Sequence, residues 1–315
     1  MGRESFVFAT GGLGNQLFQV ASALGSGSDV IRIIPNITNA RKNTHGKLDI
    51  EDFNFGQRVI FDRKISLWKV SQKGINYTLR YFASKSIEAP RTLFSQLILF
   101  ATSTLLSMNI HRRIWVLANR GLGFDPKILQ NRRDRFYIGY FQTFNILLNQ
   151  QVNSAMRSLT LKNDSDIVKE YKRYANFESP LIVHVRMGDY KESEQFGVLP
   201  EGYYQEAIEH LWEQESYKRI WLFSDEPESA ISRIPERLKD FVRVIPEFEK
   251  STPITFEVMR LGTGYVIANS SFSWWAASLA HDPEAKIAAP DVWFKKSTSP
   301  DQILPSHWIK FNAWK

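Results

Sequence analysis

Cysteine is missing from all 315 residues. That excludes disulfides, thiol nucleophiles and cysteine-held metals, and it suits a reducing compartment. Long runs of any kind are missing as well: there is no low-complexity tract, no internal repeat and no extended basic stretch. Without such a stretch or a familiar motif, nucleic acid is not expected as a partner. The chain has no Gly-x-Ser-x-Gly elbow, no His-Glu-x-x-His pair and no Gly-Lys-Ser/Thr phosphate loop, so the usual serine-hydrolase, zinc-protease and P-loop chemistries have no foothold. The first residues, Met1 to Phe8, lead straight into an apolar strand without the layout of a signal peptide, and a cytoplasmic location is expected.

What is present fits a globular α/β protein. Hydrophobic residues make up 43% and aromatics 13%, enough for sizeable cores, and the length suits two domains. A net charge of +7 favours an anionic partner such as a nucleotide or an acidic membrane surface. The most apolar stretch, Leu93 to Ile110, is interrupted by Ser95, Gln96, Thr102, Ser103, Thr104, Ser107 and Asn109. It is too polar for a comfortable membrane span and is expected as a buried helix. The positive charge together with this segment also allows peripheral contact with the inner face of a membrane.

The chain opens as strand, glycine turn, helix, strand: Phe6 to Thr10, Gly11 to Gly14, a helix through Leu24, then Val30 to Ile34. Residues 36 to 92 read as irregular and Leu93 to Asn119 as mostly helical. Helix-forming residues from 150 to 178 connect to a second series of strands. These are Leu181 to Val185, Ile220 to Phe223, Tyr265 to Ala268 and Ile287 to Ala289, the first run being apolar enough to be buried on both faces.

The first of these strands carries His184 and runs out into Arg186, Gly188 and Asp189. A buried strand does not end in a histidine and an arginine unless something polar meets them, and in an open α/β sheet ligands bind at the carboxyl ends of strands. Two readings stand, an anion-recognition edge or a structural ion pair. Asp225 follows the second strand. Ser270 and Ser271 start a helix after the third, where free N–H groups suit a phosphate; Phe272 lies beside them, while Trp274 and Trp275 are expected in the core. In the first half, Asn15 and Gln16 stand at a helix start where they line a cleft or serve only packing. No histidine or carboxylate spacing calls for a metal.

Gly11-Gly-Leu-Gly-Asn-Gln-Leu-Phe-Gln19, His184-Val-Arg-Met-Gly-Asp-Tyr190, Phe223-Ser-Asp225 and Asn269-Ser-Ser-Phe-Ser-Trp-Trp275 occur in order along the chain. Together they resemble the α-1,2-fucosyltransferase family. The resemblance implies a GT-B fold, two Rossmann-like lobes with a cleft between them: an acceptor-side lobe over 1–160 and a donor lobe over 161–315. It implies inverting, metal-independent transfer of L-fucose from GDP-L-fucose, a substrate rather than a cofactor, to the 2-hydroxyl of a terminal galactose on a glycan. Arg186 and Asp189 would be catalytic. His184, Arg186, Asp225, Ser270, Ser271 and Phe272 would hold the donor, and Asn15 and Gln16 would line the acceptor side. The family often has a second arginine after the first; here that position is Met187. The rival readings are another GT-B fucosyltransferase, such as one acting on protein O-linked sites, and a non-catalytic nucleotide- or carbohydrate-binding protein.

Overall fold

The computed structural model describes residues 2–35, 48–56, 59–62, 65, 67–85, 90–123, 134–246, 251–296, 299, 300 and 302–314. The chain divides into two compact units. The first is Met1–Thr160 with Pro300–Ile303; the second is Leu161–Ser299 with Leu304–Lys315.

In the first unit, β1 (Glu4–Ala9), β2 (Val30–Pro35), β4 (Val59–Phe61), β5 (Trp115–Ala118) and β6 (Arg135–Ile138) form a parallel sheet in the order β4-β2-β1-β6-β5. The two-residue strands β3 (Phe53–Asn54) and β7 (Thr160–Leu161) stand outside the two large sheets. β1 is buried along nearly its whole length because both its faces are covered, as parallel sheets require. Helix α1 (Leu13–Leu24) packs on β1 and β2. Phe6 and Phe8 join Ile75 and Phe82 of α2 (Lys69–Ala83) and Leu106 of α3 (Leu93–Ile110) in one apolar cluster.

Two expectations for this unit are corrected. The stretch 36 to 92 is not irregular throughout, since residues 69 to 83 form α2; residues 36–47 and several shorter segments of that stretch lie outside the described residues. The stretch 93 to 119 is mostly helical, as expected, and ends in a strand. α3 stops at Ile110, where His111 turns left-handed at φ 54°, and β5 follows.

The second correction is that α3 is not buried: only 22% of it is. It is turned inside out. Three of the hydroxyls that break its apolar pattern face inward: that of Ser103 accepts the Val116 N–H at 3.1 Å, that of Ser107 accepts the Ile114 N–H at 2.9 Å, and that of Thr102 meets the Thr78 hydroxyl at 2.9 Å. Leu93, Leu97, Phe100 and Met108 face out, Phe100 at 71% exposure.

In the second unit, helices α4 (Gln150–Arg157, still in the first unit) and α5 (Asp166–Glu178) lead into β8 (Leu181–Val185). There follow the single turn α6 (Gly188–Lys191), α7 (Glu201–Gln214), β9 (Ile220–Ser224), β10 (Val242–Val244), α8 (Thr252–Met259), β11 (Gly264–Val266), α9 (Ser271–Ser278), β12 (Lys286–Pro290) and β13 (Ile309–Phe311). The sheet is parallel in the order β10-β9-β8-β11-β12-β13. Counted from β8 this is 3-2-1-4-5-6, the Rossmann order. Two Rossmann-like units in succession are the GT-B class the sequence implied.

The core of this unit lies on β8. Leu181, Val183 and Val185 pack against Tyr203, Tyr204, Ala207, Ile208 and Leu211 of α7, each buried aliphatic contributing about 1.5–3 kcal/mol. On the other face, Trp221 of β9 meets Tyr171 of α5 edge-on at 5.4 Å, and its indole N–H donates to Glu178 at 2.6 Å. Trp274 and Trp275 of α9 are fully buried, as expected.

Candidate active site

In a sheet of this order the chain runs outward from β8 one way and then resumes on its other side with β11. The two loops that leave these neighbouring strands therefore part in opposite directions. The gap between them, beyond the carboxyl ends, is where such folds bind ligands. The loop after β8 carries Arg186 to Asp189, and the loop after β11 carries Asn269 to Ser271.

Arg186 lies one residue past β8, with its side chain 36% exposed. Its guanidinium forks: Nη2 donates to Asp189 Oδ1 at 2.6 Å, and Nη1 pairs with Asp225 Oδ2 at 3.1 Å. Its plane sits 5.7 Å from the ring centre of Tyr190. The two carboxylates are unlike. Asp225 is 19% exposed and takes a second hydrogen bond, from the Met187 N–H at 2.9 Å. Asp189 is 67% exposed and reaches Arg186 from the next turn. Asp225 is the fixed anchor of the arginine, and Asp189 is a solvent-side arm, of the kind that adds little to stability.

Glycine 188 makes this packing possible. A Cβ there would lie 2.6 Å from Asp225 Oδ2, so any larger residue pushes the anchor off the guanidinium. Tyr190 ties the two loops together, its hydroxyl donating to the Asn269 carbonyl at 3.2 Å. Burial pushes the Tyr190 phenol up to about 12, so it remains a donor. Asn269 donates in turn to the carbonyls of Phe196 and Gly197. Just outside, Lys191 pairs with Glu226.

His184 lies on the same side of the strand as Arg186 but deeper, at 7% exposure. Burial, and secondarily the charge of Arg186, lowers its pKa to about 3. The imidazole is therefore neutral across the physiological range, and its Nδ1 finds no hydrogen-bonding partner among the described residues. Phe272 bridges it to α8, its ring 6.1 Å from that of His184 and 5.6 Å from that of Phe256. The Ser270 hydroxyl caps α9 by accepting the Phe272 N–H at 3.4 Å; Ser271 is the first residue of the helix and half-buried. The cap aims the N-terminal end of α9, with its partial positive charge, at the same gap as Arg186.

Met187 is 5% exposed and belongs to the apolar core with Leu199 and Tyr203. Position 187 thus points away from the Arg186 fork, and a thioether suits it. The sequence alone assigned no role at this edge to Gly188, Tyr190, Asn269 or the Met187 N–H. Gly188 and Tyr190 stood within the quoted motif, but the motif gives no hint that one makes room for Asp225 and the other spans two loops.

The first unit has the matching feature. Its order also reverses beside β1, between β1 and β6. Gly11, at φ +78°, leaves no room for a Cβ against Asn15. Gln19, 1% exposed, accepts the Thr10 N–H and donates to the carbonyls of Thr10 and Gly139, joining the loops after β1 and β6. Gln16 is 2% exposed and spends both ends of its amide inside, on the Gly11 carbonyl and the Ile50 N–H. Gln16 thus braces the glycine turn, the packing alternative of its two readings. Asn15 is half-buried, and its Oδ1 accepts from Gln142 at 2.8 Å. Surface cavities of about 450 Å³ beside Glu4, Arg32 and Arg112, and of about 600 Å³ beside Phe55, Gln150 and Ser158, open elsewhere on this unit and gather no comparable set of groups.

Comparison with known proteins bears on the chemistry. Glycosyl transferase family 11 matches residues 129–312. The chain is 26% identical over 319 residues to the O-antigen biosynthesis glycosyltransferase WbnK of Escherichia coli, covering 95% of this chain and 98% of that one. It is 22% identical over 316 residues to an alpha-1,2-colitosyltransferase of Escherichia coli, covering 95% and 96%. Among solved structures, the fucosyltransferase NodZ from Bradyrhizobium aligns at 15% identity over 88% of this chain and 92% of that chain, with a TM-score of 0.48; likeness at that level adds nothing to the strand orders above. The family match spans more than half of the chain and both loops that frame Arg186, so the protein belongs to glycosyl transferase family 11 and is a glycosyltransferase.

Proposed function

We propose that the protein transfers L-fucose from GDP-L-fucose to the 2-hydroxyl of a terminal galactose on a glycan, with inversion and without a metal ion. One observation carries this reading: a forked, half-exposed guanidinium stands at the reversal point of a Rossmann sheet, beside the capped start of α9. A sugar nucleotide leaves its negative charge on the β-phosphate as the glycosidic bond breaks. Arg186 meets that charge with two N–H groups in the plane of two phosphate oxygens. The N–H groups at the start of α9 add a fixed dipole. In this reading the protein's own donors carry the neutralisation.

The remaining residues take roles from their placement. Asp225 orients the fork through its second bond to the Met187 N–H. When the diphosphate arrives, it takes the place of Asp189 on Nη2, and Asp189 is freed on the solvent side. A freed carboxylate next to the phosphate edge is placed to take the proton of the attacking hydroxyl, the role assigned to Asp189. His184, neutral and buried behind Arg186, and Phe272 form the wall against which the donor rests. Asn15 is the acceptor-side candidate in the first unit.

The test uses purified protein, GDP-fucose and a galactose-terminated acceptor with EDTA present, and determines the linkage formed. An α-1,2-fucosylated product is expected. No transfer, with GDP still bound, would leave a nucleotide-binding protein; transfer only with added metal ion would remove the arginine-based mechanism. The relative described as an alpha-1,2-colitosyltransferase favours one second reading, in which the donor sugar is a dideoxyhexose. Running the two donors in competition decides between them. The pH–rate profile of Asp189→Asn, with donor binding measured separately, separates a base from a binding residue.

A further inference from the structure

The positive charge and the apolar surface of this protein coincide. Residues 63 to 120 contain ten lysines and arginines and one acid, Glu88, an excess of nine against +7 for the whole chain. Lys69, Lys73, Arg80 and Lys85 are exposed on or just beyond α2, and Arg113 is exposed just after α3. In the same stretch α3 turns Leu93, Leu97, Phe100 and Met108 to the outside, spaced by four, three and eight residues along one stripe. Trp68, Tyr77 and Trp115 add exposed rings around it. Such a distribution costs free energy in water, since a helix normally buries its apolar stripe.

We propose that the α2–α3 face is a docking surface for a membrane rich in anionic phospholipid. α3 would lie in the plane of the interface, with its stripe at the acyl boundary and the surrounding lysines and arginines at headgroup depth. Tryptophan and tyrosine beside the stripe suit that depth, where an apolar ring and a polar edge are both satisfied. α3 meets the length and hydropathy of a spanning helix, with a mean hydropathy of 1.5, but it does not span. Its inner side is fastened to α2 by the Thr78–Thr102 contact and to β5 by Ser103. A second copy of the chain fits this face poorly, because it would bring the same charge excess against itself. A lipid surface of opposite sign fits both features at once. This docking is independent of which sugar the enzyme transfers; its use would be to hold the enzyme beside acceptors carried on lipid.

The experiment is co-sedimentation of the full chain with vesicles of phosphatidylcholine alone and with added phosphatidylglycerol, at low and high salt. The wild type is expected to bind the anionic vesicles at least about tenfold more tightly than the neutral ones, and to lose most of that advantage in high salt. The double variant Leu97→Glu/Phe100→Glu should lose vesicle binding by about tenfold or more. Both positions are exposed, so its thermal midpoint and its transfer to a soluble acceptor should match the wild type. Equal vesicle binding by the variant, no binding by the wild type, or a wild-type dimer that the variant dissociates would each overturn the proposal.

Discussion

Replacing Arg186 by lysine separates charge from geometry. The wild-type guanidinium addresses two carboxylates at once, Asp189 at 2.6 Å and Asp225 at 3.1 Å, while lying over Tyr190. In the proposed reaction the same fork addresses two oxygens of the departing phosphate. A lysine ammonium is a point donor on a flexible stem. It keeps the charge but reaches either Asp225 or the phosphate in good geometry, not both. The loss is at least one charged hydrogen bond, about 1.5–3 kcal/mol, together with the alignment that made the donor charge useful in the transition state. That corresponds to a fall in kcat/KM for the donor of about 10²–10³, the scale found when one preorganised electrostatic group is removed. Arg186→Ala should be only modestly worse. Stability should barely move, because a half-exposed ion pair contributes about 0–1 kcal/mol. Steady-state kinetics with varied GDP-fucose, alongside a thermal melt of each variant, make the comparison. A lysine variant within a few-fold of wild type would refute the reasoning, since charge alone would then suffice.

Gly188→Ala should fold but raise the donor KM by about tenfold or more, because its methyl group displaces the Asp225 carboxylate and with it the aim of Arg186; unchanged KM would show that the carboxylate has room to move. Gln19→Leu should destabilise the first unit by about 3 kcal/mol, read from urea unfolding, since it strands the buried Thr10 N–H and two carbonyls. His184 makes acid destabilising. Its folded pKa is near 3, so below about pH 6.5 the unfolded chain binds a proton that the folded chain refuses, and stability falls by up to about 1.4 kcal/mol per unit. That contribution is fully present above about pH 6.5 and is lost as the pH drops. Urea unfolding at several pH values should show a shallower slope between pH 6.5 and 5 for His184→Gln than for the wild type; identical slopes would contradict the burial argument.

Most of the second unit was legible in the sequence, because its central strands are short apolar runs stopped by polar residues. Leu181 to Val185 and Ile220 to Ser224 could hardly be anything else. Three-residue edge strands such as β10 and β13 carry too few apolar positions to stand out. In the first unit α2 escaped notice because its inward stripe is Ser71, Ile75, Thr78 and Phe82, half of it hydroxyl, which leaves a faint apolar period. α3 was misread for the converse reason. Counting apolar residues gives the amount of hydrophobic surface but not which side faces the protein. Here Thr102, Ser103 and Ser107 found backbone and hydroxyl partners inside, and Leu93, Leu97 and Phe100 were left outside. At the site, the residue types were readable and the contacts were not. Nothing in a string of letters shows that Gly188 clears space for Asp225, or that the Gln16 amide is spent on the Gly11 carbonyl and the Ile50 N–H.

The order of the second sheet has a consequence for how the enzyme comes to exist. Arg186 and the start of α9 meet only when β11 docks beside β8, and those strands are separated by about eighty residues of chain. Closing so long a loop is slow compared with forming the β8–β9 pair. During refolding, nucleotide affinity should therefore emerge after most helix and strand signal has returned. A nascent chain released before residue 264 would own the arginine but have nothing opposite it.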